Sequence, residues 1–242
     1  MVCPAASLVA IVVHATDHDE WVVRGRGPSA DHPLRFDVKL LAVDANEGCD
    51  IGDIDGDGLL DVVAGRNWYH NGDWTPRPVR VIQDAGGYAR SNGDFLLDVD
   101  QDGRLDVVAG GFFDPGVFWY RNPGQPGLAQ GLLWEPHQLA DTGLTANEFS
   151  MMHDLDADGT PEWITNSWNA DAPLVVWRVV RGADSEAESD DPDAADRANG
   201  QPKFVPHVVG QDHNGHGMGF GDINNDGLED IVVRTGWYAR PE

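Results

Sequence analysis

Residues 53–61 read Asp53-Ile54-Asp55-Gly56-Asp57-Gly58-Leu59-Leu60-Asp61. The same nine-residue pattern recurs as DVDQDGRLD from Asp98, DLDADGTPE from Asp154 and DINNDGLED from Asp222. Each copy has oxygen-bearing side chains at positions 1, 3, 5 and 9, glycine at position 6 and an apolar residue at position 2. Alternating carboxylates ahead of a sharp glycine turn wrap one segment around a hard cation, with the carbonyl of position 7 free to join. The copies start 45, 56 and 68 residues apart, which marks an internal repeat rather than a chance match.

The residues after each copy decide what kind of loop this is. An EF-hand needs a bidentate glutamate at position 12 and a helix behind it. Position 12 here is Ala64, Ala109, Thr165 and Val233. The ninth residue leads instead into β-formers: Val62-Val63, Val107-Val108, Trp163-Ile164 and Ile231-Val232. The loop therefore joins two strands, and its last carboxylate closes the cage from the base of the second one.

Composition limits the partners. The chain has 242 residues, enough for one large β domain or two small ones, and 29 glycines with 15 prolines suit short strands and tight turns. A formal charge of −25 argues against nucleic acid and anionic membrane surfaces. No stretch approaches the roughly 20 apolar residues of a membrane span. Residues 5–15 form a short apolar stretch with no preceding basic residue; a β-strand there is the expectation, a cleaved leader the alternative. Cys3 and Cys49 make neither a disulfide scaffold nor a CxxC site, and Cys49, beside Ile51, is expected to be a small buried thiol.

Each repeat extends beyond its loop. A strand precedes it (EGCDIG, NGDFLL, EFSMMH, GMGFG). An aromatic-rich third strand follows (NWYHNG, VFWYRNPG, LVVWRVV, GWYARPE), whose rings are expected to pack between sheets. A fourth element recurs as VRVI at Val79, WEPHQLA at Trp134 and FVPHVVG at Phe204. Four short antiparallel strands per repeat describe a propeller blade. The expected fold is thus all-β, a β-propeller of four-stranded blades carrying four cation loops. Residues 46–242 form the repeats, and residues 1–45 supply N-terminal strands. The Gly/Pro-rich PGQPGLAQG segment lengthens the second repeat, and the acidic tract 183–199 is expected to be a disordered insertion in the third.

At these residues the chain resembles the FG-GAP/VCBS repeat family, whose blades also form the integrin α-subunit propeller. That resemblance implies Ca²⁺ between the first and second strands of each blade, about four ions in all. It implicates Asp53, Asp55, Asp57 and Asp61; Asp98, Asp100, Asp102 and Asp106; Asp154, Asp156, Asp158 and Glu162; and Asp222, Asn224, Asp226 and Asp230. The carbonyls of Leu59, Arg104, Thr160 and Leu228 complete the sets. Asn224 removes a charge and Glu162 lengthens a reach, so the fourth and third loops are expected to bind more weakly. His153, flanking Asp154, reads as a neighbour of its loop rather than a ligand. The family's FG-GAP dipeptides are only partly present, Gly219-Phe220-Gly221 being the nearest.

The fourth repeat stops before its outer strand, and residues 36–43 (FDVKLLAV) could supply it or could end an extra N-terminal blade formed with residues 8–14 and 21–25. An open fragment of a propeller would leave sheet faces bare and self-associate.

A saturated carboxylate cage leaves no open catalytic position, so the loops read as structural. A functional site is expected where polar residues start the inner strands: Glu47, Arg90, Glu148, His213 and His216, a set able to transfer protons. Two readings follow. One is a non-catalytic calcium-binding module presenting a surface to a protein or polysaccharide. The other, implied by resemblance to some VCBS-type propellers, is a carbohydrate-active lyase or dehydratase using that set. Calcium sites of extracellular modules bind at roughly 10⁻⁴–10⁻³ M, which points to an extracytoplasmic or secreted location.

Overall fold

The computed structural model describes residues 38–169, 171–182, 200–211 and 215–241. The acidic tract 183–199, His213 and the two N-terminal segments expected as strands lie outside those residues.

The chain is all-β with a single short helix among the described residues. Strands β1 (Asp50–Gly52), β2 (Asp61–Ala64), β3 (Asn67–Tyr69) and β4 (Pro76–Pro78) form one antiparallel sheet in chain order. After a small hairpin of β5 (Asp84–Ala85) and β6 (Tyr88–Ala89), the second sheet comprises β7 (Asp94–Leu97), β8 (Asp106–Ala109), β9 (Gly116–Arg121) and β10 (Glu135–Asp141). The third holds β11 (Asn147–His153), β12 (Glu162–Ser167), β13 (Leu174–Val180) and β14 (Lys203–Gly210). The fourth has three strands, β15 (Met218–Gly221), β16 (Asp230–Val233) and β17 (Gly236–Tyr238). Every nine-residue loop joins the first and second strands of its sheet, as its flanking β-formers require.

Consecutive sheets pack face to face through three apolar clusters. Val63 and Trp68 of the first sheet meet Val107 of the second. Val108 and Trp119 of the second meet Trp163 and Trp177 of the third. Ile164 and Val176 of the third meet Ile231 and Val233 of the fourth. Alternation along β8 and β12 sends position 10 of the repeat to one neighbouring sheet and position 11 to the other, so both faces of these two strands are buried.

The structure differs from expectation in four places. First, Cys49 is exposed. Alternation along β1 buries its glycine face, because a Cβ at Gly48 would strike the Asp94 backbone and one at Gly52 would strike Leu105 and Leu96; Cys49 and Ile51 point the other way. Second, the outer strand of the first sheet is Pro76–Pro78 rather than VRVI, two prolines being tolerable at an edge. Val79 lies one residue past that strand: its N–H donates to the Arg66 carbonyl at 2.8 Å, continuing the register, and its side chain is wholly buried.

Third, the Gly/Pro segment contains a short helix, α1 (Gly124–Gln130), stopped by Gly131 at φ +66° and anchored by buried Leu128 in the cluster between the first two sheets. Fourth, Leu41 and Ala42 pack on Val62 and Tyr69 of the first sheet, whereas residues 36–43 were a candidate outer strand for the last. No helix among the described residues is long and apolar enough to cross a membrane.

Candidate functional site

The four loops share one hydrogen-bond plan. The position-1 carboxylate accepts the N–H of position 5 through one oxygen and of the position-6 glycine through the other: Asp57 and Gly58 on Asp53 (3.1 and 2.9 Å), Asp102 and Gly103 on Asp98 (3.0 and 2.9 Å), Asp158 and Gly159 on Asp154 (3.1 and 3.0 Å), Asp226 and Gly227 on Asp222 (3.1 and 3.0 Å). Position 5 caps the N–H of position 7, pinning the residue whose carbonyl would serve as a ligand. Glycine is required at position 6, where φ is +86° to +91°. Position 4 is also left-handed, in Gly56, Gln101, Ala157 and Asn225; the sequence offered only the permissive Gly56 and Asn225 as a hint.

Position 9 ties the loop to the sheet. Asp61, Asp106, Glu162 and Asp230 are buried, and each accepts the N–H of position 2 at 2.9–3.1 Å. The second oxygen of Asp61, Asp106 and Asp230 takes the N–H of Asn71, Asn122 and Arg240, just beyond the third strand. Burial pushes the Asp61 and Glu162 carboxyls above their usual range. For Asp106, burial first, with Asp100 and Asp102 adding repulsion, raises it to about 7 against the pull of the Asn122 and Val99 N–H groups.

The residues fit a hard dication. Carboxylate oxygens of positions 1, 3 and 9 converge to within 4.8 Å of one another in the first three loops. Asp100 Oδ1 is buried with no hydrogen-bond partner. In the fourth loop the Asn224 amide donates to Asp226 at 2.7 Å, consistent with a weaker donor set. A basic side chain leaves the end of the third strand toward each of the first three loops. His70 lies 3.4 Å from Asp55 and Asp57, Arg121 lies 2.8 Å from Asp100, and Arg178 pairs with Asp156. The fourth repeat has Ala239 at that place.

A pH dependence follows for protein stripped of divalent cations. An unfolded aspartate ionises near 3.9, whereas folded Asp106 keeps its proton to about 7. Between those values the native state binds more protons, so stability falls as pH rises through the window. Urea midpoints in chelator should be lower at pH 7.5 than at pH 5, and Asp106→Asn should flatten the difference.

The opposite ends of the inner strands gather the other predicted residues. Glu47 precedes β1, Glu148 lies in β11 and His216 precedes β15. Burial and the nearby Glu148 carboxylate push Glu47 up, and His216 Nδ1 sits 3.9 Å from Glu148 Oε1. Arg90 is not free to act with them: its guanidinium donates to both oxygens of Asp114, at 2.7 and 3.0 Å, and lies over the Phe113 ring. His153 bonds Glu229 at 2.6 Å and stacks on Phe220, joining the third sheet to the fourth.

Sequence reasoning gave no role to the aromatic residues here, since its core expectation concerned only the rings of the third strands. Trp168 is 55% exposed, with His216 and Phe112 at ring-centroid distances of 4.7 and 5.9 Å; Phe113 packs edge-on against Phe112. The available signal was position: Trp168 follows the last residue of β12, beyond the buried stretch. A cavity of ≈ 520 Å³ lies elsewhere, between the third and fourth sheets beside Asp156 and Arg240.

No family model matches the chain, and no curated protein matches it. Among solved structures it is similar to one described as the structural basis of specific recognition of non-reducing terminal N-acetylglucosamine by an Agrocybe aegerita lectin. The identity is 20% and the TM-score 0.48, over 79% of this chain and 48% of that one. The chain thus spans about half the length of that structure.

Proposed function

We propose that this chain is a calcium-stabilised binding module of the FG-GAP/VCBS kind, its four sheets being consecutive blades of a β-propeller. The carrying observation is the repeated convergence of buried and half-buried carboxylates in the loops of the first three sheets, including the unpartnered Asp100 oxygen. Ca²⁺ is the fitting ion, because the donors are all oxygen and most of them are carboxylates. Asp53, Asp98, Asp154 and Asp222 with their partners would hold it. The bound ion supplies charge compensation that lets the position-9 carboxylates stay ionised while buried. The protein's own residues fix the cage: position 1 folds the turn, position 5 aims the position-7 carbonyl, and position 9 locks the loop to the second and third strands.

Face-to-face packing of successive sheets supports the propeller reading. So does the convergence of residues from all four repeats at the end remote from the loops. That end is read as a non-catalytic surface for a protein or polysaccharide. The lyase or dehydratase reading keeps Glu47, Glu148 and His216 but loses Arg90, which is bound to Asp114. An extracytoplasmic location accords with millimolar-range calcium sites.

Calcium titration by calorimetry tests the proposal. About four ions per chain are expected, the fourth loop weakest, and Asp98→Ala should remove one ion. An unchanged count in Asp98→Ala and Asp154→Ala would refute it.

A further inference from the structure

We infer that the surface formed by Phe113, Phe112, Trp168, His216, Glu148 and Glu47 binds a basic segment of a partner protein, taking lysine or arginine side chains. The inference rests on reading the chain as a binding module and names the chemistry of its ligand.

Three observations carry it. The rings form a continuous path from Phe113 through Phe112 and Trp168 to His216, and Trp168 is more than half exposed. At the His216 end the path runs into two carboxylates, Glu148 at 3.9 Å from His216 and Glu47 close enough to repel it. Apart from His216, neither glutamate has a basic partner within ion-pair distance among the described residues. Finally, the nearby donors are committed. Arg90 is bound by Asp114, and the amide nitrogen of Asn92 is shared between the Asn147 and Glu148 carbonyls at 2.7 and 2.9 Å. The carboxylates of Glu148 and Glu47 remain as acceptors.

A surface of exposed rings and uncompensated acceptors selects a cationic donor. Lysine and arginine match it in shape as well as charge, since an apolar stem covers a ring while the charged head reaches a carboxylate. A cation over tryptophan is stabilised by the ring quadrupole, and the chain's −25 charge steers a basic partner toward it. A neutral sugar would stack on Trp168 but leave both glutamates without a counter-charge.

The test uses the calcium-loaded chain and four probes: tetralysine peptide, its Nε-acetylated form, and neutral and deacetylated chitotetraose. Tetralysine is expected to bind and to quench tryptophan fluorescence, with affinity falling as salt rises. Trp168→Ala and Glu148→Gln should each weaken it by about tenfold. Both variants should retain the calcium stoichiometry, because the loops lie at the other end. Equal binding of acetylated and free peptide would overturn the inference, as would variants that bind like the parent. Preferential binding of either chitotetraose would overturn the peptide assignment while leaving the binding-module reading intact. Loss of calcium stoichiometry in the parent protein would instead strike that underlying reading.

Discussion

Asp94→Ala should cost on the order of 3–5 kcal/mol of stability, because it strands a buried arginine. Asp94 begins β7 and its side chain is fully buried. It accepts from the Gly65 N–H at 2.7 Å, from the Asn46 amide at 2.9 Å, and from the Arg80 guanidinium. Arg80 also donates to the Gly65 carbonyl at 3.1 Å and to Ser91 Oγ at 2.8 Å, and lies over the Tyr120 ring. Burial pushes the Asp94 carboxyl up, while Arg80, the Gly65 N–H and the Asn46 amide pull it back. One carboxylate thus fastens the β2–β3 turn of the first sheet to the second. Urea denaturation measures the loss. The paired replacement Arg80→Met with Asp94→Leu should recover part of it, since a buried pair contributes little over apolar groups of similar volume while the Gly65 N–H still loses its acceptor. A single-variant loss below about 1 kcal/mol would mean the pair is solvated.

Trp163→Ala should lower stability by about 3–5 kcal/mol through the cavity it opens. Trp163 is 1% exposed and lies between the second and third sheets, stacked on Phe204 at 5.9 Å and 7° and near Trp177 at 6.1 Å. Its indole nitrogen has no hydrogen-bond partner. That detail separates two variants: Trp163→Phe removes an unsatisfied donor along with some volume and should cost much less than the alanine change. Comparable losses in both would show that ring area, not cavity volume, dominates there.

Much of the architecture is legible in the sequence because it repeats. The nine-residue pattern, the β-formers behind it and the aromatic third strands each occur four times, so local signals reinforce one another. What escapes is set by single long-range contacts. Only its place past the end of β12 sets exposed Trp168 apart from buried Trp163 five residues earlier. Cys49 faces outward because glycines, not apolar side chains, form the packed face of β1. The Asp94–Arg80 pair joins residues whose neighbours in sequence give no hint of burial. In the loops, the carboxylate positions were readable, but the left-handed residue at position 4 was not, since Gln101 and Ala157 carry no preference for it.

We propose that calcium holds the four loops, and through them the sheets. Thermal unfolding with millimolar Ca²⁺ and with excess chelator, at one pH, tests it directly. At ~1 mM Ca²⁺ a site with a Kd near 10⁻⁴ M contributes about 1.4 kcal/mol, and a chain of this size shifts roughly 2–4 °C per kcal/mol. Four such sites acting independently should move the midpoint by roughly 10–20 °C. Superimposable melting curves, with no calcium bound to the folded chain, would contradict the account.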